Sequence, residues 1–389
     1  MVLGRFAVEF EFRTVERIIF GPGVVRRLAE VASSFGKKAF VVTGRSFLRQ
    51  SGWLEEIETL FRQANLFLVV HQGIPPEPTL ADTQRAIDEA RSTGPDVVIG
   101  IGGGSAIDVA KTVASTAPFD GSVYEYFRGR QIERKGLAFI AVPTTSGSGS
   151  EVTPNSVLID ETTGVKSSIR SNFMYADVAL VDPALTLTAP KETTAYAGMD
   201  ALCQAIEAYV SKGANPITDA LALDASVRLF LNLPKVYSDP KNLELRTQVA
   251  LGSLMGGIAF ANARLGLAHG LAHPLGVRSS LPHGLVCALL LPLVMRFNMP
   301  VCSEKYAAIS RISGIAQEPT YTDMQAAEAF ISAIERLNED MRIKAHYADL
   351  KMDPSEWTSV IKEAMASGST RSNPREVSAS DIEAILASF

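Results

Sequence analysis

The sequence contains few of the residues that would place it in several functional classes. Only five histidines and three cysteines occur in 389 residues. The cysteines, Cys203, Cys287 and Cys302, form neither an even set nor a CxxC pair, which excludes a disulfide framework and is typical of a reducing cytoplasm. Blocks of Lys or Arg are also lacking and the formal net charge is -5, so nucleic acid is not an expected partner.

Long apolar runs and repeats are lacking as well. The most apolar stretch, residues 284–295, ends at Arg296 and is shorter than the roughly 20 residues that a membrane helix needs. Charges come too early in the first ten residues for a signal peptide, so we expect a cytoplasmic protein that does not bind membranes. No internal repeat or low-complexity segment is visible. The length favours two domains, because one hydrophobic core stops growing at about 250 to 300 residues.

The first half of the chain alternates apolar, β-rich runs with amphipathic helical patterns, of which residues 78–94 and 105–115 are examples. This alternation predicts βα units around a parallel or mixed sheet. The predicted strands are residues 39–44, 66–73, 96–104 and 137–145, with a last strand at 177–183. Residues 155–160 and 165–170 flank a turn, and we expect them to add a hairpin to this sheet.

After Pro190 the pattern becomes helical, because apolar residues recur every three or four positions. We therefore place a domain boundary near residue 188. The sequence predicts an α/β dinucleotide-binding domain over residues 1–187 and an all-α domain over residues 188–389.

Two glycine-rich segments each follow a predicted strand. The first, "DVVIGIGGGSAIDVAK", leads from a buried strand into a helix, whose free N–H groups and positive dipole end suit a pyrophosphate. It departs from the usual dinucleotide fingerprint, because Ser105 stands where a third glycine is expected. The second, "VPTTSGSGSEVTP", offers hydroxyls for ribose or phosphate. Because both loops follow the carboxyl ends of strands, we expect them to bind the same ligand in one crevice.

Three of the five histidines lie within fifteen residues. His269 and His273 are one helical turn apart, and we expect Pro274 to end that helix so that His283 returns from a loop. On another helix, Asp200 and Gln204 share one face with Glu207 and need partners if buried. An Asp and several imidazoles that converge are typical of a divalent transition metal site. Cys203, His71 and His346 are interpreted as structural residues.

Four motifs together resemble the iron-containing (group III) alcohol dehydrogenase family. In chain order they read "GGGSAIDVAK", "PTTSGSGSEVT", "AGMDAL..AIEAYVS" and "HGLAHPLG......HG". The resemblance covers nearly the whole chain. It implies a dehydroquinate synthase-like fold, in which an α/β domain holds a nicotinamide dinucleotide and a helical domain holds a metal.

The resemblance also implies roles for individual residues. At the pyrophosphate it places Gly103, Gly104 and Ser105, with Asp108 nearby. Near the rest of the cofactor it places Thr144, Thr145 and Lys166. The metal ligands that it implies are Asp200, His269 and His283, and His273 lines the site beside the metal.

Gln204 departs from the family pattern, which has a histidine at this position. An amide oxygen binds divalent cations more weakly than imidazole does, so we expect a weakened site for Fe²⁺ or Zn²⁺. The implied function is hydride transfer between a nicotinamide cofactor and an alcohol or aldehyde, with the metal polarising the substrate oxygen. His273 is the candidate that relays the hydroxyl proton to water, and support of the metal site is its competing role.

Three alternative functions stay open. One is a metal-independent NAD(P)H-dependent reductase on the same fold. Another is a synthase or lyase, which would need several basic residues for an acidic substrate, whereas residues 265–285 contain only Arg278. The third, a non-catalytic nucleotide-binding protein, does not explain the histidine cluster.

Two further expectations concern the cofactor and the assembly. After the strand at 39–44, the chain has Gly44, Arg45 and Ser46 in place of the carboxylate that typically binds the ribose of NAD. A guanidinium and a hydroxyl suit a 2′-phosphate, so NADP is favoured over NAD. Residues 6–12 alternate like an edge strand, and with the family resemblance they favour a homodimer or larger homo-oligomer.

Overall fold

The computed structural model describes residues 9–318 and 320–389, which form two compact units. The sheet unit comprises Val15–Gly198 and Lys235–Gly257. The helical unit comprises Met199–Pro234, Ile258–Phe389 and the described residues up to Thr14. The predicted fold class is confirmed, because the first unit is built on a parallel sheet and the second contains helices as its regular elements. A single functional boundary near residue 188 stays a prediction.

Eight strands occur within the described residues. They are β1 Arg17–Phe20, β2 Lys38–Gly44, β3 Phe67–Ile74, β4 Val97–Gly102, β5 Ala138–Pro143, β6 Asn155–Asp160, β7 Val165–Arg170 and β8 Val178–Val181. Six of them form one parallel sheet in the order β1, β8, β5, β4, β2, β3. Every residue of β4 is buried, as expected for a central strand covered on both faces.

Fifteen α-helices occur within the same residues. Those near the sheet are α1 Leu28–Ser33, α2 Phe47–Gln50, α3 Trp53–Gln63, α4 Leu80–Thr93, α5 Gly104–Thr116 and α6 Val123–Phe127. They are followed by α7 Lys191–Val210, α8 Pro216–Ser238, α9 Leu243–Ala263, α10 Leu267–Ser279 and α11 His283–Ile312. The last are α12 Asp323–Asp340, α13 Pro354–Ala366, α14 Gly368–Ser372 and α15 Ala379–Leu386. The helices predicted at 78–94 and 105–115 are thus present.

The hairpin prediction is half right. Strands β6 and β7 pair antiparallel as expected, but they form a separate two-stranded sheet and do not extend the parallel one. The reason is the side chain of Asp108 on α5, whose Oδ2 accepts a hydrogen bond from the Val157 N–H at 2.8 Å. This bond and the packing of the buried Leu158 hold the hairpin against α5.

The start of the chain differs from expectation. Strand β1, at one edge of the sheet, was not predicted, because four residues are too few to show a period. The strand-like segment at 6–12 lies partly outside the described residues, and Glu9–Phe12 belong to no regular element.

Helix α10 does not end at Pro274, which corrects the prediction for this segment. Proline removes one helical hydrogen bond, but Leu271, Ala272 and Leu275 are buried and the packing keeps the helix intact to Ser279. His283 is accordingly the first residue of α11 and not a loop residue.

Helix α11 continues beyond Arg296, which closes the apolar run but not the helix. Among the described residues, α11 is the single helix that is long enough and apolar enough to span a membrane. Helices α9 and α10 reach that length and hydropathy only together, as a pair bent by 101°. In α11, 67% of the most apolar window is buried inside the protein, as in the core helix of a globular unit.

Candidate active site

Three polar side chains on α7 lie inside the helical unit. Asp200, Gln204 and Glu207 are buried on a helix whose other neighbours, such as Leu202 and Ile206, are also buried. Because a buried polar group without a partner destabilises the fold, these residues need groups from other helices. The residues of α10 and α11 supply them for Asp200 and Glu207.

Glu207 holds the start of α10. Its carboxylate accepts hydrogen bonds from the Gly266 N–H at 2.9 Å, from the Ala268 N–H at 2.7 Å and from Nδ1 of His269 at 2.6 Å. These bonds satisfy the free N–H groups of the first helical turn, where Gly266 offers no side-chain cap. They also fix the imidazole of His269 with its proton on Nδ1, so that Nε2 is left as a ligand atom.

Asp200 faces two imidazoles. Its Oδ1 lies 3.2 Å from Nε2 of His269 and 3.9 Å from Nε2 of His283. The ring of His273 lies near the same point, with its centroid 5.1 Å from that of His283. The structure thus brings together all three clustered histidines and the aspartate.

Two cysteines also contact this cluster, and neither was predicted to be a metal ligand. The Sγ of Cys287, one turn after His283 on α11, lies 3.5 Å from Nε2 of that histidine. The Sγ of Cys203 lies 3.8 Å from Nδ1 of His269. Asp200, His269, His283 and Cys287 offer ligand atoms that all lie within 4.8 Å of one another. The spacing of four between His283 and Cys287 was the available sequence signal.

The electrostatics of the cluster favour a cation. Burial disfavours the charged form of His269, but Cys287 and Glu207 raise its pKa well above the ordinary value. Burial acts against the thiolate of Cys287 too, yet the hydrogen bond from Cys203 and the neighbouring imidazoles lower its pKa well below the ordinary value. The lowered pKa of Cys287 favours the anionic sulfur, which is the form of cysteine that binds a metal.

Gln204 is buried one turn after Asp200, and its Oε1 has no hydrogen-bond partner among the described residues. A buried amide oxygen left without a partner costs about 1 to 3 kcal/mol unless something else satisfies it. A carboxylate, two imidazoles, a thiol and an unsatisfied amide oxygen form a donor set that fits a divalent transition metal.

A second group of predicted residues lies in the sheet unit, where two loops meet. Gly103 and Gly104 lead from β4 into α5, whose first turn has no side-chain cap, so its N–H groups are available for an anion. The adjacent strand β5 leads into Thr144, Thr145 and the serine–glycine loop. A Cβ added to Gly104 would lie 2.7 Å from Oγ of Ser148, so only glycine fits where the loops touch.

The residues after β2 lie next to these loops. Strand β2 pairs with β3 on one side and with β4 on the other, with Thr43 opposite Ile101. From β2 the chain continues to β3 at one edge of the sheet, and from β4 it continues to β5 in the direction of the other edge. Such a switch point is where open parallel sheets bind nucleotides. Gly44 is the last residue of β2, and Arg45 and Ser46, which follow it directly, are exposed.

Two predicted cofactor residues have other contacts. Asp108 is buried and holds the hairpin, as described above, with Nζ of Lys111 at 3.7 Å. Lys166 lies on β7 and forms an ion pair with Glu77, in the loop after β3. The described contacts do not bring Lys166 to the glycine loops.

Comparisons with known proteins identify the family of this chain. The family model for iron-containing alcohol dehydrogenase matches residues 15–183, and the model for the C-terminal part of that family matches residues 194–389. The chain belongs to the iron-containing alcohol dehydrogenase family. It is 35% identical to 1,3-propanediol dehydrogenase of Citrobacter freundii over 97% of this chain and 98% of that one.

Other relatives support the same family. The NAD-dependent methanol dehydrogenase of Bacillus methanolicus is 33% identical, over 95% of this chain and 96% of its own. A crystal structure of 1,3-propanediol oxidoreductase superposes with a TM-score of 0.93 at 34% identity, covering 98% of this chain and 100% of that one. The predicted activity class, an alcohol dehydrogenase of the iron-containing type, is confirmed.

Membership of the iron-containing alcohol dehydrogenase family implies a nicotinamide cofactor and a metal. The relatives include both NAD-dependent and NADPH-dependent enzymes, so the family alone does not set the cofactor preference. Small-molecule alcohols and aldehydes are the substrate class consistent with this family.

Proposed function

We propose that this alcohol dehydrogenase works with a divalent metal held by Asp200, His269 and His283. The observation that carries the proposal is the convergence of these side chains, with His269 fixed by Glu207 so that Nε2 turns toward Asp200. When bound there, the metal would supply a Lewis acid that polarises the alcohol or aldehyde oxygen. Fe²⁺ and Zn²⁺ are the proposed ions.

Gln204 has a subordinate role in this proposal. Its unsatisfied Oε1 supports a weak interaction with the metal, because an amide oxygen is a poorer ligand for these ions than imidazole is. With Gln204 as the fourth ligand, the metal would be held more loosely than by an aspartate with three histidines.

His273 is the proposed proton relay. It lies one turn after His269 on α10 and is partly exposed, so its imidazole is placed between the buried ligands and solvent. An imidazole that is not coordinated can take up the hydroxyl proton at neutral pH and release it to water. A supporting contact to His283 is its competing role.

The cofactor proposal uses the loops of the sheet unit. Residues proposed for the pyrophosphate are Gly103, Gly104 and Ser105, and those for the nucleoside portions are Thr144 and Thr145. Asp108 contributes by holding the hairpin that carries Lys166, and Lys166 keeps its proposed place near the cofactor. We favour NADP, because the guanidinium of Arg45 and the hydroxyl of Ser46 are exposed beside the switch point.

The proposed setting is a homodimer or larger homo-oligomer in the cytoplasm. In it residues 1–187 serve as the cofactor domain and residues 188–389 as the metal domain.

Metal depletion tests the proposed function. Purified enzyme is treated with a chelator, its metal content is measured by elemental analysis, and NAD(P)H-coupled turnover is followed with a panel of aldehydes and alcohols. We expect activity to fall with the metal and to return with Fe²⁺, Zn²⁺, Mn²⁺ or Co²⁺. Full activity in protein shown to be free of metal would mean that the metal-independent reductase is correct instead.

A further inference from the structure

Helix α11 carries a sulfur atom toward the proposed metal ligands. Cys287 follows His283 by one helical turn, so both side chains lie on the same face of α11. Its Sγ lies 3.5 Å from Nε2 of His283, and the side chain is completely buried.

The distances between the donor atoms lie near the edges of a coordination tetrahedron, with one pair about 0.3 Å longer. Zinc binds nitrogen and oxygen at about 2.0 to 2.2 Å and thiolate sulfur at about 2.3 Å, which gives edges of about 3.3 to 3.6 Å. The measured separations are 3.5 Å from Cys287 to His283, 3.2 Å from Asp200 to His269 and 3.9 Å from Asp200 to His283. All four donors lie within 4.8 Å of one another.

We propose that Cys287 is a ligand of the metal and completes a set with Asp200, His269 and His283. The inference rests on the proposed function, since it concerns the same metal. A thiolate is anionic and binds zinc-like ions strongly, whereas the amide of Gln204 is neutral. Cys287 thus takes the place of the strong fourth ligand that Gln204 does not provide.

The second sulfur near the cluster is in a different position. Cys203 approaches Nδ1 of His269, which already bonds to Glu207 at 2.6 Å. The carboxylate of Glu207 is in turn occupied by the N–H groups of Gly266 and Ala268. Cys203 therefore lies on the Nδ1 side of this imidazole, away from the Nε2 that faces Asp200.

A thiolate ligand changes which metal the site prefers. Asp200 and Cys287 together carry two negative charges, which balance a divalent ion. Thiolate favours soft and borderline ions, so Zn²⁺ and Co²⁺ should bind more tightly than Mn²⁺.

Cobalt substitution tests the proposal directly. Metal-free enzyme is titrated with Co²⁺ and its absorption spectrum is recorded, because a sulfur ligand produces an intense near-ultraviolet charge-transfer band that oxygen and nitrogen ligands do not. Cys287→Ser, Cys203→Ser and Cys302→Ser are compared with the unmodified enzyme. Cys302 lies on the same helix and serves as the matched control.

We expect the band in the unmodified enzyme, Cys203→Ser and Cys302→Ser, and its loss in Cys287→Ser with at least 10-fold weaker Co²⁺ binding. Stoichiometric Co²⁺ without the band, or a band lost in Cys203→Ser but kept in Cys287→Ser, would overturn the proposal and leave the metal dehydrogenase intact. A band in an enzyme that turns over no alcohol or aldehyde would support the ligand and contradict the proposed function. Failure to bind Co²⁺ would overturn both.

Discussion

At the scale of single residues, Glu207 accepts three hydrogen bonds in a place that solvent does not reach. An amide at this position accepts with one end only, so Glu207→Gln leaves an N–H of α10 or the Nδ1–H of His269 facing an NH₂ group. We expect metal affinity to fall 10- to 100-fold, as is typical when a partner of a coordinating histidine is lost. Competition with a colorimetric chelator measures this affinity.

Glu192→Gln is the matched control, because Glu192 is exposed on the first turn of the same helix. Its metal affinity should stay within twofold of the original. An unchanged affinity in Glu207→Gln would show that Glu207 acts only as a helix cap.

The predicted preference for NADP depends on Arg45. Its side chain is exposed, and no ion pair to it occurs among the described residues, so it is available for a 2′-phosphate. We expect a higher kcat/KM with NADP than with NAD, and a selective loss of the NADP activity by about 10-fold in Arg45→Ala. Steady-state kinetics with both cofactors measure it. A kcat/KM at least tenfold higher for NAD would contradict the preference.

Glu151 is a buried carboxyl whose effect on stability depends on pH. Burial raises its pKa from 4.5 to about 7, so between these values the folded protein keeps a proton that the unfolded chain loses. This group therefore lowers the free energy of unfolding as the pH rises from about 4.5 to 7, by up to about 3 kcal/mol. Lys111, whose pKa burial lowers to about 8, shares this region.

In Glu151→Gln this pH-dependent loss should disappear. Relative to the unmodified enzyme, the variant should gain stability between pH 5 and pH 7 in urea unfolding measured at both values. Glu133→Gln, an exposed neighbour in the same unit, should show no such trend. Parallel pH profiles for Glu151→Gln and the unmodified enzyme would refute the assignment.

The sequence revealed part of this chemistry. Histidine spacing placed His269 and His273 one helical turn apart with His283 close by, and the family resemblance implied His269 and His283 as ligands. Those ligand roles stay predictions. Cys287 was missed, since a lone cysteine in an apolar run looks like a small hydrophobic residue until the fold turns it toward other donors. The role of Glu207 depends on a helix 59 residues away, which no local pattern encodes.

At the scale of elements, predictions succeeded where one local signal dominates. Helix α4 has a capping box at Thr79 and Asp82 and a left-handed Gly94 at its end, and both signals are visible in the sequence. The hairpin of β6 and β7 was also visible, but its partner was not, because pairing with α5 depends on the buried Asp108. The helix end predicted at Pro274 was wrong, because the burial of neighbouring side chains outweighs the tendency of proline to end a helix.

The two glycine-rich loops of the sheet unit touch at Gly104 and Ser148. Gly104→Ala would place a Cβ 2.7 Å from Oγ and 2.9 Å from Cβ of Ser148, so the two loops must separate. We expect a loss of about 1 to 3 kcal/mol in stability and at least 10-fold weaker NAD(P)H binding by fluorescence titration. In Gly103→Ala the nearest atom is Oγ1 of Thr145 at 3.6 Å, so stability should change less. Equal stability losses in both variants would contradict the loop-contact argument.

At the scale of the whole molecule, the two groups of candidate site residues lie in different units. The glycine loops belong to the sheet unit, and the histidine cluster belongs to the helical unit. Length and the change of pattern after Pro190 were sufficient to predict two kinds of architecture. They did not predict that Lys235–Gly257 belongs to the sheet unit, because that assignment depends on contacts between distant segments.

Assembly is the last property that belongs to the whole molecule. Strand β1 pairs with β8 on one side, and its other edge has no ladder partner among the described residues. Ile18 on this strand is 37% exposed, and an apolar open edge favours pairing with another chain. We expect light scattering at micromolar concentration to give at least twice the mass of the chain. Ile18→Lys should shift the enzyme toward monomer, because a charged side chain at this open edge opposes strand pairing. A monomer in the unmodified enzyme would contradict the homodimer.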